Sequence, residues 1–114
     1  MSPTIVREEG KPVLVIGSPG GSRIIGYVAQ AIIAHVDWGM DGQQAVAMPH
    51  GVNRFGTFDL EAGTSMADMA AALAEMGFNT DVRDLNSGLH AIAIGADGLQ
   101  GGADPRREGI ALGE

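Results

Sequence analysis

Apolar and polar positions along the chain fall into short runs whose period changes several times. Thr4-Ile5-Val6-Arg7 is β-branched and follows Pro3, and Pro12 to Ile16 holds four apolar residues in succession, Val13-Leu14-Val15-Ile16. With the polar stretch Glu8-Glu9-Gly10-Lys11 between them, the two runs predict a β-hairpin with a longer loop. The unbroken apolar character of the second strand predicts burial on both faces. Arg23 to Trp38 then takes a helical period. Arg23, Tyr27, Gln30, Ala34 and Asp37 form one narrow stripe, and Ile24, Ile25, Val28, Ala29, Ile32, Ile33 and Val36 fill most of the rest. Such a pattern predicts a helix buried on more than one side, with Ser22 as its N-cap. A short helix over Gly42 to Met48 follows, with Asp41 and Gln44 at capping-box spacing and Pro49 as its stop.

Beyond Pro49 the pattern is weaker. His50 to Phe55 reads as a loop and Phe55 to Glu61 as a strand by alternation. Gly63 turns the chain, and Thr64 or Ser65 caps a third helix with Met66, Met69, Ala70, Leu73 and Met76 on its apolar face. Gly77 is placed to end that helix. Phe78 to Arg83 is a further strand, and His90 to Ile94 with Leu99 to Ala103 flank the turn Gly95-Ala96-Asp97-Gly98, a second hairpin. The tail Asp104-Pro105-Arg106-Arg107-Glu108-Gly109 reads as polar and irregular. Neither a domain boundary nor a repeat is visible, so residues 1–114 are expected to form a single α/β (α+β) domain.

Composition narrows the core and the partners. Hydrophobic residues make up 45% of the 114 residues but aromatics only 4%, so the core is small and aliphatic. Glycine, at 18 residues, far exceeds the usual share of roughly 7% and has no period, which suits a chain of tight turns. A net charge of −7 argues against nucleic acid or an acidic membrane surface as partner. With no cysteine there are no disulfides or thiolate ligands.

The candidate chemistry centres on Gly17-Ser18-Pro19-Gly20-Gly21-Ser22. Strand, glycine turn and helix in that order direct backbone N–H groups and the positive end of a helix dipole at one place, a site for negative charge. The loop has no lysine before Ser22, so it is not a Walker A sequence, and Gly17 and Gly20 lack the dinucleotide spacing. Local chemistry leaves open a bound anion, a transition-state oxyanion and a tight structural turn. His35, His50 and His90 lack metal-ligand spacing. The Met66, Met69, Met76 stripe reads as core filling, Asp59 and Glu61 as a solvated strand face, and Arg106-Arg107 as a carboxylate binder or a partner for the many acidic residues. No Ser, His and Asp arrangement forms a triad.

Three segments, taken together, resemble a known family. Met1-Ser2-Pro3-Thr4-Ile5-Val6, then Gly17-Ser18-Pro19-Gly20-Gly21-Ser22-Arg23-Ile24-Ile25, then Gly102-Ala103-Asp104-Pro105-Arg106-Arg107-Glu108-Gly109 are similar, in the same order, to the C-terminal part of the small subunit of gamma-glutamyltransferases. These enzymes are also called gamma-glutamyltranspeptidases or glutathione hydrolases. The middle, Met48 to Gly88, matches loosely. The resemblance implies part of an α-β-β-α N-terminal nucleophile hydrolase sandwich, mostly antiparallel sheet with covering helices, made by self-cleavage of a precursor. It implies an N-terminal threonine that attacks a gamma-glutamyl amide, an acyl-enzyme passed to water or an amino acid, and no cofactor or metal. The oxyanion donors fall on the backbone N–H groups of Gly20 and Gly21, with Ser18, Pro19 and Ser22 supporting the loop near the substrate.

The same resemblance sets what this chain is expected to lack. The catalytic threonine, the serine pair that contacts the glutamyl group and the other substrate clamps belong upstream of Met1. The chain corresponds to about the last third of such an enzyme and is expected to be inactive alone. Its partners would be the missing remainder of the precursor or a second copy in a homodimer, and a gamma-glutamyl substrate such as glutathione only in a complete enzyme. No signal peptide is visible, so the chain as given would be cytoplasmic, whereas family members are often periplasmic or extracellular. A second reading is a stand-alone module that binds a small anion or nucleotide at the glycine-rich helix start.

Overall fold

The computed structural model describes residues 1–113, which form two compact units. The first comprises residues 1–48 and 87 onward, the second Pro49–Asn86.

The first unit is built on a four-stranded antiparallel sheet. Its strands are β1 (Thr4–Glu8), β2 (Lys11–Gly17), β6 (His90–Gly95) and β7 (Gly98–Ala103), in the order β1-β2-β6-β7. β1 and β2 are joined by the two residues Glu9 and Gly10, both with positive φ, so the turn is tighter than the longer loop expected. The strands of the second hairpin pair as the turn at residues 95–98 predicts, with Gly95 opposite Gly98.

One face of this sheet is covered. Leu14, Ile16, Ala91 and Ala93 alternate inward on paired strands and are buried. β2 is therefore not buried on both faces: Val15 points the other way and is exposed, in a row with Ile5 and Ile92 across three strands. Four apolar residues in succession specify a strand but not how many faces are covered.

Two helices accompany the sheet. α2 (Gly42–Ala47) packs on β6 and β7, and α1 (Ile24–Val36) packs beside α2. The capping box forms as its spacing predicts. The Asp41 carboxylate accepts from Gln44 N at 2.7 Å, and the Gln44 side chain accepts from Asp41 N at 3.1 Å. α1 buries Tyr27, Val28, Ala31 and Ala34 and leaves Ile25, Ile33 and Val36 exposed. The narrow stripe of Arg23, Tyr27, Gln30, Ala34 and Asp37 thus holds two of the most deeply buried residues, Tyr27 and Ala34. The packed side joins Tyr27 and Ala34 to Val28 and Ala31, and the open side carries Ile25, Ile33 and Val36. Ser22 is not the N-cap; Gly21–Arg23 form a 3-10 turn and α1 starts without a side-chain cap.

In the second unit β3 (Gly51–Arg54), β4 (Thr57–Glu61) and β5 (Asn79–Arg83) form a three-stranded sheet. β3 occupies what the pattern suggested was a loop, because the two residues Phe55 and Gly56, both with positive φ, make a tight hairpin with β4. β5 runs parallel to β4 after a crossover through a 3-10 turn, Ala67–Met69, and α3 (Ala70–Glu75). Thr64 does brace this crossover: its hydroxyl donates to Glu61 O and accepts from Met66 N. Met69 and Met76 are exposed, so of the methionine stripe only Met66, half-buried with its sulfur against Gly51, packs inward. Asp59 and Glu61 are buried, not solvated, and Glu61 Oε2 accepts the His50 N–H at 2.8 Å. Alternation fixed only that the two carboxylates share a face of β4.

Candidate functional site

β2 delivers the chain to the glycine loop and α1 takes it away. At Gly20 the backbone adopts φ 138° and ψ 15°, and at Gly21 φ is 64°. Two constraints act at Gly20. L-residues rarely adopt this φ, and a Cβ there would sit 2.9 Å from Cε2 of Tyr27, itself 2% exposed. Gly21 is constrained by φ alone, since nothing lies within 4 Å of a Cβ there.

The two peptides expose their donors. Ser18 N donates to Met1 O and Arg23 N to Gly20 O, whereas among the described residues the N–H groups of Gly20 and Gly21 donate to no backbone carbonyl. They lie just ahead of the first turn of α1, at the end of the helix where the dipole is positive. The arrangement can hold a negative charge that arrives or develops at that point.

Ser18 and Pro19 lie beneath these donors. Ser18 is 1% exposed, and its hydroxyl donates to Pro19 O at 2.6 Å and accepts from Gly88 N at 3.2 Å. Gly88 is pressed against the Pro19 ring: a Cβ there would lie 2.7 Å from Pro19 Cγ and 3.0 Å from Arg107 Cδ. Ser22 is exposed and has no described role in the loop.

The tail that read as irregular holds the other half of the site's support. Asp104 is buried. Its Oδ2 accepts the Ser87 hydroxyl and the Leu89 N–H, and its Oδ1 accepts the Arg106 N–H and Nη1, each at 2.9 Å. Arg106 then spans to the end of α2, where Nη1 donates to Val46 O at 3.2 Å and Nη2 to Met48 O at 2.8 Å. A guanidinium at those carbonyls complements the negative end of a helix. Burial pushes the Asp104 carboxyl pKa up. The hydrogen bonds from Ser87, the Arg106 backbone, Leu89 and the Arg106 side chain outweigh burial and hold it below the ordinary aspartate value. Arg106 thus takes the carboxylate role that the sequence suggested, within the chain itself. The buried Asp104 was missed because a charged Asp-Pro-Arg-Arg run reads as solvated; its only signal was the resemblance. Among the described residues no group of three or more His, Cys, Asp or Glu is placed to hold a metal ion.

An antiparallel sheet with helices, entered by a strand–glycine loop–helix unit, is the α+β architecture of N-terminal nucleophile hydrolases. The family described as Gamma-glutamyltranspeptidase matches residues 1–114. The chain belongs to the gamma-glutamyltranspeptidase family. It is 36% identical over 118 residues to the glutathione hydrolase proenzyme of Bacillus subtilis strain 168, covering 99% of this chain and 20% of that protein. Gamma-glutamyltranspeptidase of Helicobacter pylori superposes with a TM-score of 0.84 at 34% identity, over 94% of this chain and 61% of that one. An acivicin-inhibited gamma-glutamyltranspeptidase, whose structure is described as revealing critical roles for its C-terminus in autoprocessing and catalysis, gives 0.85 at 35% identity, over 95% and 61%. The chain spans about a fifth of the length of the curated relatives it matches, less than the third expected.

Proposed function

We infer that this chain is the C-terminal segment of a gamma-glutamyltransferase or glutathione hydrolase and supplies the oxyanion-hole donors for gamma-glutamyl amide cleavage and transfer. The observation that carries this reading is the pair of N–H groups at Gly20 and Gly21, held in positive-φ conformations at the start of α1 and engaged by no backbone carbonyl.

In the proposed reaction a threonine hydroxyl from the rest of the enzyme adds to the gamma-glutamyl carbonyl. The C=O electron pair moves onto oxygen, and the resulting oxyanion accepts hydrogen bonds from Gly20 and Gly21. The tetrahedral intermediate expels the protonated amine and leaves a gamma-glutamyl ester on the threonine. Water or an amino acid amine then adds to that ester through a second oxyanion at the same donors; the intermediate collapses by breaking the ester C–O bond, releasing glutamate or the gamma-glutamyl amide, and the proton of the attacking group returns to the threonine oxygen. Each such donor contributes about 2.7–4 kcal/mol to transition-state stabilisation. Donors without a nucleophile do not make an enzyme, so the chain alone is expected to be inactive.

The test has two arms. The 114-residue chain is assayed for release of 4-nitroaniline from gamma-glutamyl-4-nitroanilide. It is also grafted in place of the matching segment of the Bacillus subtilis proenzyme. The expected result is no release by the chain, release by the graft, and loss of that release with Gly20→Pro. Release by the chain above that of its own Gly20→Pro variant would refute the reading. So would a folded graft without activity, or one that tolerates Gly20→Pro.

A further inference from the structure

The peptide unit that carries the Gly20 N–H also carries the Pro19 carbonyl. That unit is trans and planar, so whatever fixes the direction of the C=O fixes the direction of the N–H on its opposite edge. Pro19 O is fixed by the Ser18 hydroxyl. That hydroxyl has one proton, and the proton is used on Pro19 O; its oxygen in turn accepts the Gly88 N–H. Both contacts are shielded, because Ser18 is 1% exposed.

Gly88 is itself held from both sides. Ser87, 0% exposed, and Leu89, 0% exposed, flank it, and both donate to the same oxygen of Asp104. A second clamp runs the other way, Asp104 N to Leu89 O at 2.9 Å. The other carboxylate oxygen is tied to Arg106 and so to the end of α2. A continuous path therefore leads from Asp104 through residues 87–89, Ser18 and Pro19 to the Gly20 donor. Its dipoles point in one direction: Gly88 N–H to Ser18 O–H to Pro19 C=O. Hydrogen bonds in such a chain polarise one another, and a carbonyl that accepts one makes its own peptide N–H a stronger donor.

We propose that Asp104 and Ser87 are positioning residues that, through Gly88 and Ser18, aim and polarise the Gly20 N–H. The proposal rests on the reading of Gly20 as an oxyanion donor, but its geometry can be tested without turnover. Asp104→Asn replaces one of the two carboxylate oxygens by an NH2 group, so either the donors at residues 87–89 or those of Arg106 lose their acceptor, and the negative charge at the head of the path is lost. Ser87→Ala removes one donor and leaves the carboxylate. Ser18→Ala cuts the path at its last step, and Ser18→Thr restores the hydroxyl.

The first readout is the Gly20 amide proton resonance in the 15N-labelled chain, with the Gly10 amide of the β1–β2 turn as reference. Ser18→Ala, Ser87→Ala and Asp104→Asn should each move the Gly20 resonance upfield while leaving Gly10 in place, and Ser18→Thr should return it. A Gly20 resonance unmoved in folded Ser18→Ala and Ser87→Ala overturns the proposal, whether or not Asp104→Asn folds. The second readout is kinetic, in the grafted enzyme. Ser18→Ala and Ser87→Ala should each lower kcat about tenfold, part of the 10²–10³ lost with a whole donor, with KM little changed. The double variant should lose no more than the worse single one, because both cut one path. Multiplicative losses, or unchanged kcat in a graft that still depends on Gly20, overturn the path alone. A graft indifferent to Gly20→Pro overturns instead the proposed function.

Discussion

Alanine at Gly20 and alanine at Gly21 should have unequal consequences, although the two glycines are adjacent. At Gly20, φ 138° and ψ 15° lie where L-residues are rarely found, a strain of about 1–3 kcal/mol. The added Cβ would also lie 2.9 Å from Cε2 and 3.3 Å from Cδ2 of Tyr27. That ring is 2% exposed and cannot swing into solvent, so overpacking adds about 1–3 kcal/mol. The sum is about 2–6 kcal/mol, a large share of the roughly 5–15 kcal/mol that stabilises an ordinary domain. At Gly21, φ 64° is left-handed helical and the space is open, so only about 1–2 kcal/mol is lost. Urea unfolding of both variants, followed by circular dichroism, measures the difference. Gly20→Ala should be the more destabilising by a clear margin, and Gly20→Ala with Tyr27→Leu should recover part of the loss by making room. Equal losses at the two positions, or a larger one at Gly21, would refute the packing of Tyr27 beneath the loop.

Further outcomes follow from the buried charges and the open faces. Because Asp104 titrates below its unfolded value, its contribution to stability is complete above the ordinary carboxylate range, near pH 3.9, and is lost as pH falls through its depressed pKa. The urea midpoint should therefore drop on acidification below that range, and Asp104→Asn should flatten that part of the profile; an unchanged profile would count against the network. Arg106→Lys cannot reach Asp104 and the carbonyls of Val46 and Met48 together, so it should lose about 1.5–3 kcal/mol by the same assay. The row Ile5, Val15 and Ile92 is a contiguous exposed apolar strip across three strands on one face of the sheet, and such strips favour association. We expect the isolated chain to pair through its sheet or to bind a hydrophobic dye; light scattering that finds a clean 11.7 kDa species with no dye binding would end the dimer reading.

Local signals were legible where chemistry is local. The capping box at Asp41 and Gln44, both hairpins of the first unit and the strand–glycine–helix unit depend on residues within a few positions of one another, and each could be read from the chain. Which faces are covered could not. Val15 and Leu14 have the same apolar character, but only Leu14 is buried, and nothing in the helical period marks Tyr27 as the residue that packs against Gly20. The Asp104 network was invisible for the same reason: its partners Ser87 and Leu89 lie 15 to 17 positions away and Val46 and Met48 about sixty, and a charged tail looks solvated until those partners are in place. The segment Met48 to Gly88, where the resemblance was loosest, is nearly the second unit, Pro49–Asn86. There the reading erred most, with β3 taken as a loop and the buried Asp59 and Glu61 taken as solvated.

The role of the Gly20 N–H is tested most directly by removing that hydrogen and nothing else. Gly20 can be replaced by glycolate in the grafted proenzyme, which exchanges the amide N–H for an ester oxygen and keeps the φ that proline or alanine would disturb. The kcat for gamma-glutamyl-4-nitroanilide should fall about 10²–10³-fold, the loss expected for one oxyanion donor, while the enzyme still matures and binds substrate with little change in KM. A glycolate variant that matures and turns over at the rate of the unaltered graft would contradict that role.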